Sequence, residues 1–164
     1  MQAAMTKQAV NVLCRILFNL KREKLFVIGD DSGAITNTIR TCGEHLNLKL
    51  WFFSPLAPIP GNVDLVYVEP TDRDTIVESI EKLHQNLGEN TIIVIGNIHT
   101  SVEGEACWER LKNDPNITVT IDTYHLGMIF FRAGQAKEDF YIRTTTSKLT
   151  DFLLGARKLW GLLH

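Results

Sequence analysis

The sequence predicts an α/β fold: a doubly wound (Rossmann-like), mostly parallel sheet in three layers (α/β/α), with an antiparallel hairpin near its C-terminal end. Two observations support this prediction. Short apolar runs alternate along the chain with segments of helical spacing. The early apolar runs are uniformly apolar, which is typical of parallel strands that helices cover on both faces.

Length and charge bound the function. The chain has 164 residues, 45% of them hydrophobic, which suits one domain with a core of its own. This composition excludes disordered, collagen-like and disulfide-rich classes of protein. The net charge of −2 supplies no field that would attract nucleic acid, so we predict no nucleic-acid partner.

Cysteine usage and hydropathy indicate the compartment. Cys14, Cys42 and Cys107 are far apart and form no CxxC pair, which is typical of reduced thiols in an intracellular protein. The N-terminal residues lack the apolar run of a signal peptide, and the apolar runs elsewhere are too short to cross a membrane. We therefore expect a soluble, cytoplasmic protein with no membrane partner.

The first half of the chain predicts two helices and three strands. Apolar residues at helical spacing, including Phe18 and Leu20, predict a helix with one buried side at the start. In order, the elements are a helix over residues 5–22, a strand over 25–29, a helix over 33–46, a strand over 48–53 and a strand over 63–68.

The second half continues the alternation and then changes direction. In order, it predicts a helix over residues 72–87 that stops at Gly88, a strand over 91–95, a helix over 101–113, strands over 117–122 and 126–132, and a short strand over 140–143. Only three residues separate the strands over 117–122 and 126–132, so they form the predicted hairpin. An amphipathic helix over 147–163 follows.

Polar residues follow the predicted strands at the edge where a parallel sheet binds ligands. Gly29-Asp30-Asp31-Ser32-Gly33 follows the first strand, and a turn of this kind brings backbone N–H groups close to a ligand. Asp30 and Asp31 would repel a phosphate but not a cationic or zwitterionic ligand. The alternative is a structural turn in which the two carboxylates cap the next helix.

The spacing of these segments resembles that of the class I S-adenosylmethionine-dependent methyltransferases, in particular their bacterial small-molecule, O-methyltransferase-like group. The segments that carry the resemblance are residues 25–33, 63–69, 92–99, 106–115, 119–122 and 126–132. The resemblance implies S-adenosylmethionine as the methyl donor. It implies donor binding by Gly29, Asp30, Asp31, Gly33 and Ser54, and catalytic roles toward the acceptor for Glu69, Asn97 and His99.

Departures from the family pattern predict a shortened, degenerate member. Val27 stands where the family has an acid, and the strand over 48–53 ends without the carboxylate that holds the ribose hydroxyls. Residues 54–62 are too few for the helix and strand that the family places there. Glu69 and Asn97 would give a divalent cation only two oxygen ligands, so we predict no metal site.

Two functions of different classes remain open. The first is methyl transfer to a small molecule, with His99 as a base near neutral pH, although a hydrogen-bonded loop histidine is the alternative for that residue. The second is a non-catalytic scaffold or a regulatory ligand-binding homo-oligomer. We predict that residues 1–146 form the methyltransferase-like domain. Residues 147–164 form a helix that packs on this domain or on the partner of a homodimer.

Overall fold

The computed structural model describes residues 5–29, 32–53, 58–69, 78, 80–132 and 134–142. The helices among them are α1 (Lys7–Leu20), α2 (Ser32–His45) and α3 (Val102–Lys112). The strands are β1 (Lys24–Ile28), β2 (Trp51–Phe53), β3 (Val63–Val68), β4 (Leu87–Gly96), β5 (Val119–Asp122), β6 (Leu126–Phe130) and β7 (Glu138–Tyr141). The described strands form a single sheet in the order β2-β1-β3-β4-β6-β5-β7.

The pairing pattern confirms the predicted fold class. Strand β1 pairs in parallel with β2 and β3, and β3 pairs in parallel with β4. Strand β6 is antiparallel to both β4 and β5, which makes β5 and β6 the predicted hairpin, and β7 adds to β5 in parallel. The C-terminal ends of β1, β2, β3, β4 and β5 therefore lie along one side of the sheet, called here the carboxyl edge.

Apolar residues form two separate buried core clusters, one on each face of the sheet. Leu25, Leu65 and Val94 face α1 and α2, where Leu13 and Ile39 meet them. On the opposite face, Phe26, Val66, Ile93 and Ile95 pack with Trp108 and Leu111 of α3. Helices on both faces of a buried sheet give the three predicted layers.

Helix α1 begins and ends where its local chemistry requires. The Thr6 hydroxyl accepts a hydrogen bond from the Ala9 N–H at 3.2 Å, and Lys21 closes the helix in the left-handed conformation, with φ of 48°. The buried side consists of Ala9, Leu13, Ile16 and Leu17. The prediction that Phe18 and Leu20 belong to the buried side is wrong, because both side chains are exposed.

Two predicted boundaries are also wrong. Strand β2 begins only at Trp51, because the Leu48 N–H donates back to the Gly43 carbonyl at the end of α2, at 2.9 Å. Gly88 does not stop a helix. The described helical residues 80–83 pass into a short 3-10 turn, and Gly88 lies inside β4. There its N–H donates to the Thr91 hydroxyl at 2.8 Å.

The expectation of three reduced cysteines is wrong for two of them. Cys14 of α1 and Cys42 of α2 form a disulfide, with their Cα atoms 5.9 Å apart. The residues are 28 apart in sequence, and only the packing of the two helices brings them together. Cys107 is buried on the opposite face of the sheet and takes no part in this disulfide.

The predicted C-terminal helix over residues 147–163 lies outside the described residues. The chain is described as far as Ile142, which follows β7, and the exposed side chains of that strand include Phe140 and Tyr141. None of the described helices has both the length and the apolar composition that a membrane crossing needs.

Candidate functional site

The middle of the carboxyl edge brings Gly29, Glu69 and Asn97 together. Gly29 follows β1 with φ of 140°, and a Cβ atom there would lie 2.9 Å from the Glu69 Cβ. The turn therefore needs glycine on two grounds, the conformation and the close approach of β3. Glu69 follows β3 and is 8% exposed, and its Oε1 accepts a hydrogen bond from Asn97 Nδ2 at 3.0 Å. A buried carboxylate thus lies directly beside the glycine turn.

Tyr67 of β3 lies two residues before this carboxylate in the chain. Its side chain is buried in β3, and a Cβ atom on Gly96 of the neighbouring strand would collide with the Tyr67 hydroxyl. Burial, and after it the charge of Glu69, raises the pKa of the Tyr67 hydroxyl well above its ordinary value. Tyr67 is therefore neutral at physiological pH.

A pocket of about 430 Å³ runs along α2 toward β2. Gly33 is one of the residues that line this pocket, and a Cβ atom there would meet no other atom within 4 Å. The Arg40 guanidinium lies over the Phe52 ring, 5.4 Å from its centroid, and donates to Asn37 Oδ1 at 2.9 Å. The pocket therefore offers an aromatic face and a cation, and β2 contributes no carboxylate to it.

His99 lies farther along the carboxyl edge, in the loop between β4 and α3. Its Nε2 is 2.9 Å from Asp122 Oδ2, its Nδ1 is 3.4 Å from Glu105 Oε1, and the Tyr124 ring stacks on it at 5.4 Å. The side chain of His99 is 21% exposed. The imidazole is therefore partly buried between two carboxylates, one at each ring nitrogen.

Asp122 is a site residue that the sequence did not single out. It ends β5, is 5% exposed, and its Oδ2 also accepts the Trp108 Nε1–H at 2.9 Å. Its Oδ1 accepts the backbone N–H of Tyr124 at 2.8 Å. The available signal was an acidic residue at the carboxyl end of a buried strand, the same signal that identified Glu69.

The structure separates the predicted site residues into three groups. Gly29, Glu69 and Asn97 form one contiguous set, Gly33 borders the pocket along α2, and His99 belongs with Asp122. The other three, Asp30, Asp31 and Ser54, lie outside the described residues. In the part of the chain that is described, no three His, Cys, Asp or Glu side chains are grouped closely enough to hold a metal ion.

Comparison with known proteins relates this architecture to solved structures of the same fold. The sequence matches no protein-family model and no curated protein. Cofactor-bound Rv0187 from MTB is similar in structure, with a TM-score of 0.52 and 13% identity over 80% of this chain and 83% of that one. The SAH-bound Podospora anserina methyltransferase PaMTH1 gives a TM-score of 0.51 and 15% identity, covering 79% of this chain and 80% of its own.

A third solved structure agrees with these two. A methyltransferase from Geobacter sulfurreducens superposes with a TM-score of 0.50 and 11% identity, over 77% of this chain and 80% of its own. At such low identity the similarity concerns the fold, and it confirms the fold that the resemblance implied. The chain has the fold of the class I S-adenosylmethionine-dependent methyltransferases.

Proposed function

We propose that the chain binds S-adenosylmethionine at the carboxyl edge and transfers its methyl group to a small molecule. The observation that carries this proposal is the contact between Gly29 and Glu69 on neighbouring strands of a methyltransferase fold. In open parallel sheets, ligands bind beyond the carboxyl ends of the strands. Two proteins of similar fold support the choice of ligand, since one is described as SAH-bound and the other as cofactor-bound.

The residues at β1 and β3 suit this donor chemically. S-adenosylmethionine carries a sulfonium and an ammonium group, and the carboxylate of Glu69 attracts both positive charges. Gly29 has no side chain to obstruct a ligand. The Ser32 N–H already donates to the Gly29 carbonyl at 3.2 Å, but the first turn of α2 from Gly33 onward presents backbone N–H groups that suit the donor's own carboxylate. We propose that Asp30, Asp31 and Ser54 border the same ligand.

The end of β2 suits the donor less well. It ends in Phe52 and Phe53, so no carboxylate of this strand accepts hydrogen bonds from the ribose hydroxyls. Hydrogen bonds to charged groups contribute about 1.5–3 kcal/mol each, and two of them correspond to roughly 100-fold or more in affinity. We therefore expect weaker donor binding than a carboxylate at this position would give.

The remaining residues act on the acceptor. The bound donor would supply an electrophilic methyl group on a positively charged sulfur. Asn97 fixes the orientation of the Glu69 side chain by its hydrogen bond of 3.0 Å, and both residues offer hydrogen-bond partners to the acceptor. His99, at the β4 end of the same edge, takes the proton that the acceptor's attacking atom releases. The described residues bring no metal ligands together for this step.

Calorimetric titration with S-adenosylmethionine and S-adenosylhomocysteine tests the proposal. We expect micromolar binding of both, and methyl transfer from labelled donor to a member of a panel of small alcohols, phenols and amines. Binding without transfer to any of them would favour a regulatory ligand-binding protein. An absence of binding at millimolar ligand would contradict the proposal and favour a scaffold that keeps only the fold.

One variant locates the donor. Gly33→Val adds a side chain where a Cβ atom meets no protein atom, so we expect a folded protein whose affinity for S-adenosylhomocysteine falls at least tenfold. Ala34→Val is the matched control, because it places the same β-branched residue at the next, exposed position of α2. Equal affinities in Gly33→Val and Ala34→Val would move the donor away from α2.

A further inference from the structure

Three groups surround the His99 ring, two from the β5–β6 hairpin and one from α3. The β4–α3 loop carries His99 itself, and the β5–β6 turn provides Tyr124, which stacks on the ring at an interplanar angle of 21°. The backbone of Tyr124 has a φ of 69°, a conformation that residues other than glycine seldom adopt. The two ring nitrogens face the carboxylates of Asp122 and Glu105.

These two carboxylates differ in their burial and in the hydrogen bonds that they accept. Asp122 is 5% exposed and accepts three hydrogen bonds, one of them from the indole of Trp108, which is fully buried. A Cβ atom on Gly127 would lie 2.6 Å from the Trp108 ring, so the indole packs directly on the β6 backbone. Glu105, in the first turn of α3, is 61% exposed and lies at a longer distance from the ring.

The difference assigns the two nitrogens. A carboxylate only accepts hydrogen bonds, so the Nε2 that faces the buried Asp122 carries a proton and donates it in a hydrogen bond to Oδ2. The other nitrogen, Nδ1, then carries the lone pair in the neutral ring and lies beside the exposed carboxylate of Glu105. Nδ1 is therefore the ring nitrogen left to accept a proton.

We infer that Asp122 is a positioning residue that fixes His99 with Nδ1 as the proton acceptor, for an acceptor substrate whose attacking oxygen or nitrogen carries a proton. This inference rests on the proposed function. The proton of the attacking atom passes to Nδ1, and that atom's electron pair forms the bond to the methyl carbon. The electron pair of the broken carbon–sulfur bond stays on sulfur, and the positive charge lost there appears on the imidazolium. Asp122 and Glu105 then each accept one N–H of the charged ring.

NMR of the ¹⁵N-histidine-labelled full chain tests the assignment without any substrate. At about pH 9, where an ordinary imidazole is neutral, we expect Nε2 of His99 to carry a proton that exchanges slowly with water. In Asp122→Asn, that exchange becomes at least tenfold faster, because the amide has no charge and only one acceptor oxygen for three donors. The Trp108 indole N–H signal reports in the same sample whether the variant is folded.

Glu105→Gln is the matched control, because it removes the other carboxylate and leaves the Nε2–H of His99 protected. Two results would overturn the inference: a wild-type His99 with its proton on Nδ1, or equal exchange of the Nε2 proton in wild type and Asp122→Asn. The wild-type spectrum decides the first result even if Asp122→Asn does not fold. Titration with S-adenosylhomocysteine separates a failure of this inference from a failure of the proposed function. Asp122 lies at the far end of the edge from the proposed donor site, so we expect Asp122→Asn to bind S-adenosylhomocysteine as wild type does.

Discussion

The two ends of the carboxyl edge differ in how firmly their side chains are held. At the β4–β5 end, Asp122 accepts three hydrogen bonds from groups that include Trp108, a side chain with 0% exposure. At the β1–β2 end, the edge strand has only three residues, and its Trp51 is 63% exposed. The first end is a packed, hydrogen-bonded network, whereas the described part of the second, called here the open end, is more exposed to solvent.

The difference bears on two properties of the candidate site: how rigidly its side chains are held and how easily a ligand reaches them. Buried polar groups are retained only when their partners satisfy them, so the Asp122 network fixes its geometry before any ligand arrives. At the other end, the described residues around Gly29 and the start of α2 are less buried, so affinity for a donor depends more on the contacts that the ligand itself makes. For the proposed reaction, the acceptor end is therefore the preorganised one.

Among the variants that test this contrast, we expect the one at the buried Trp108 to change the free energy of unfolding most. Trp108→Ala removes a fully buried indole and the Nε1–H donor of Asp122, so we expect a loss of about 3–5 kcal/mol in the free energy of unfolding. Trp51→Ala, at the open end, should change that free energy by less than about 0.5 kcal/mol. Urea unfolding measures both, and similar losses in the two variants would abolish the distinction between the ends.

Reduction of the Cys14–Cys42 disulfide comes second, because this bond ties α2 at the open end to α1. We expect reduction to lower the free energy of unfolding by about 2–4 kcal/mol. In denaturant, a maleimide should label one thiol, Cys107, before reduction and all three cysteines after it. Three labels on the unreduced protein would contradict the disulfide, and Cys107→Ser, which should take no label before reduction, is the control.

A smaller effect is expected in the backbone that joins the two ends. Gly29→Ala forces a Cβ atom to within 2.9 Å of the Glu69 Cβ at a φ of 140°, so we expect a destabilisation of about 1–3 kcal/mol. Gly33→Ala, in open space within α2, should instead stabilise the protein by up to about 1 kcal/mol. Thermal and urea unfolding of the pair provide the measurement, and equal effects would show that Gly29 has no special backbone role.

The smallest effect concerns pH and Tyr67. Because its folded-state pKa is raised, the folded chain keeps this proton more tightly than the unfolded chain does. Stability should therefore fall as pH rises above the ordinary tyrosine pKa of about 10, by roughly 1 kcal/mol at about pH 11 from this group. Tyr67→Phe should lose correspondingly less stability between about pH 9 and 11. Parallel losses in the variant and wild type would exclude Tyr67 as the cause.

Local pattern alone predicted most of the fold. Uniformly apolar runs predicted the parallel strands β1, β3 and β4, and the short interval between residues 122 and 126 predicted the β5–β6 hairpin. These predictions were confirmed because burial on both faces of a sheet dictates the residue types of each strand independently of its partners. Boundaries set by contacts, such as the start of β2 and the place of Gly88, were predicted wrongly.

The candidate site divides in the same way. The sequence by itself determined which residues follow each strand, and so identified Gly29, Glu69, Asn97 and His99 as members of one edge. Only the tertiary structure decided that Cys14 meets Cys42 and that Asp122 meets both His99 and Trp108. Such pairs join elements that are distant in sequence, and no local periodicity records which side chains the packing of two helices or two loops will bring within bonding distance.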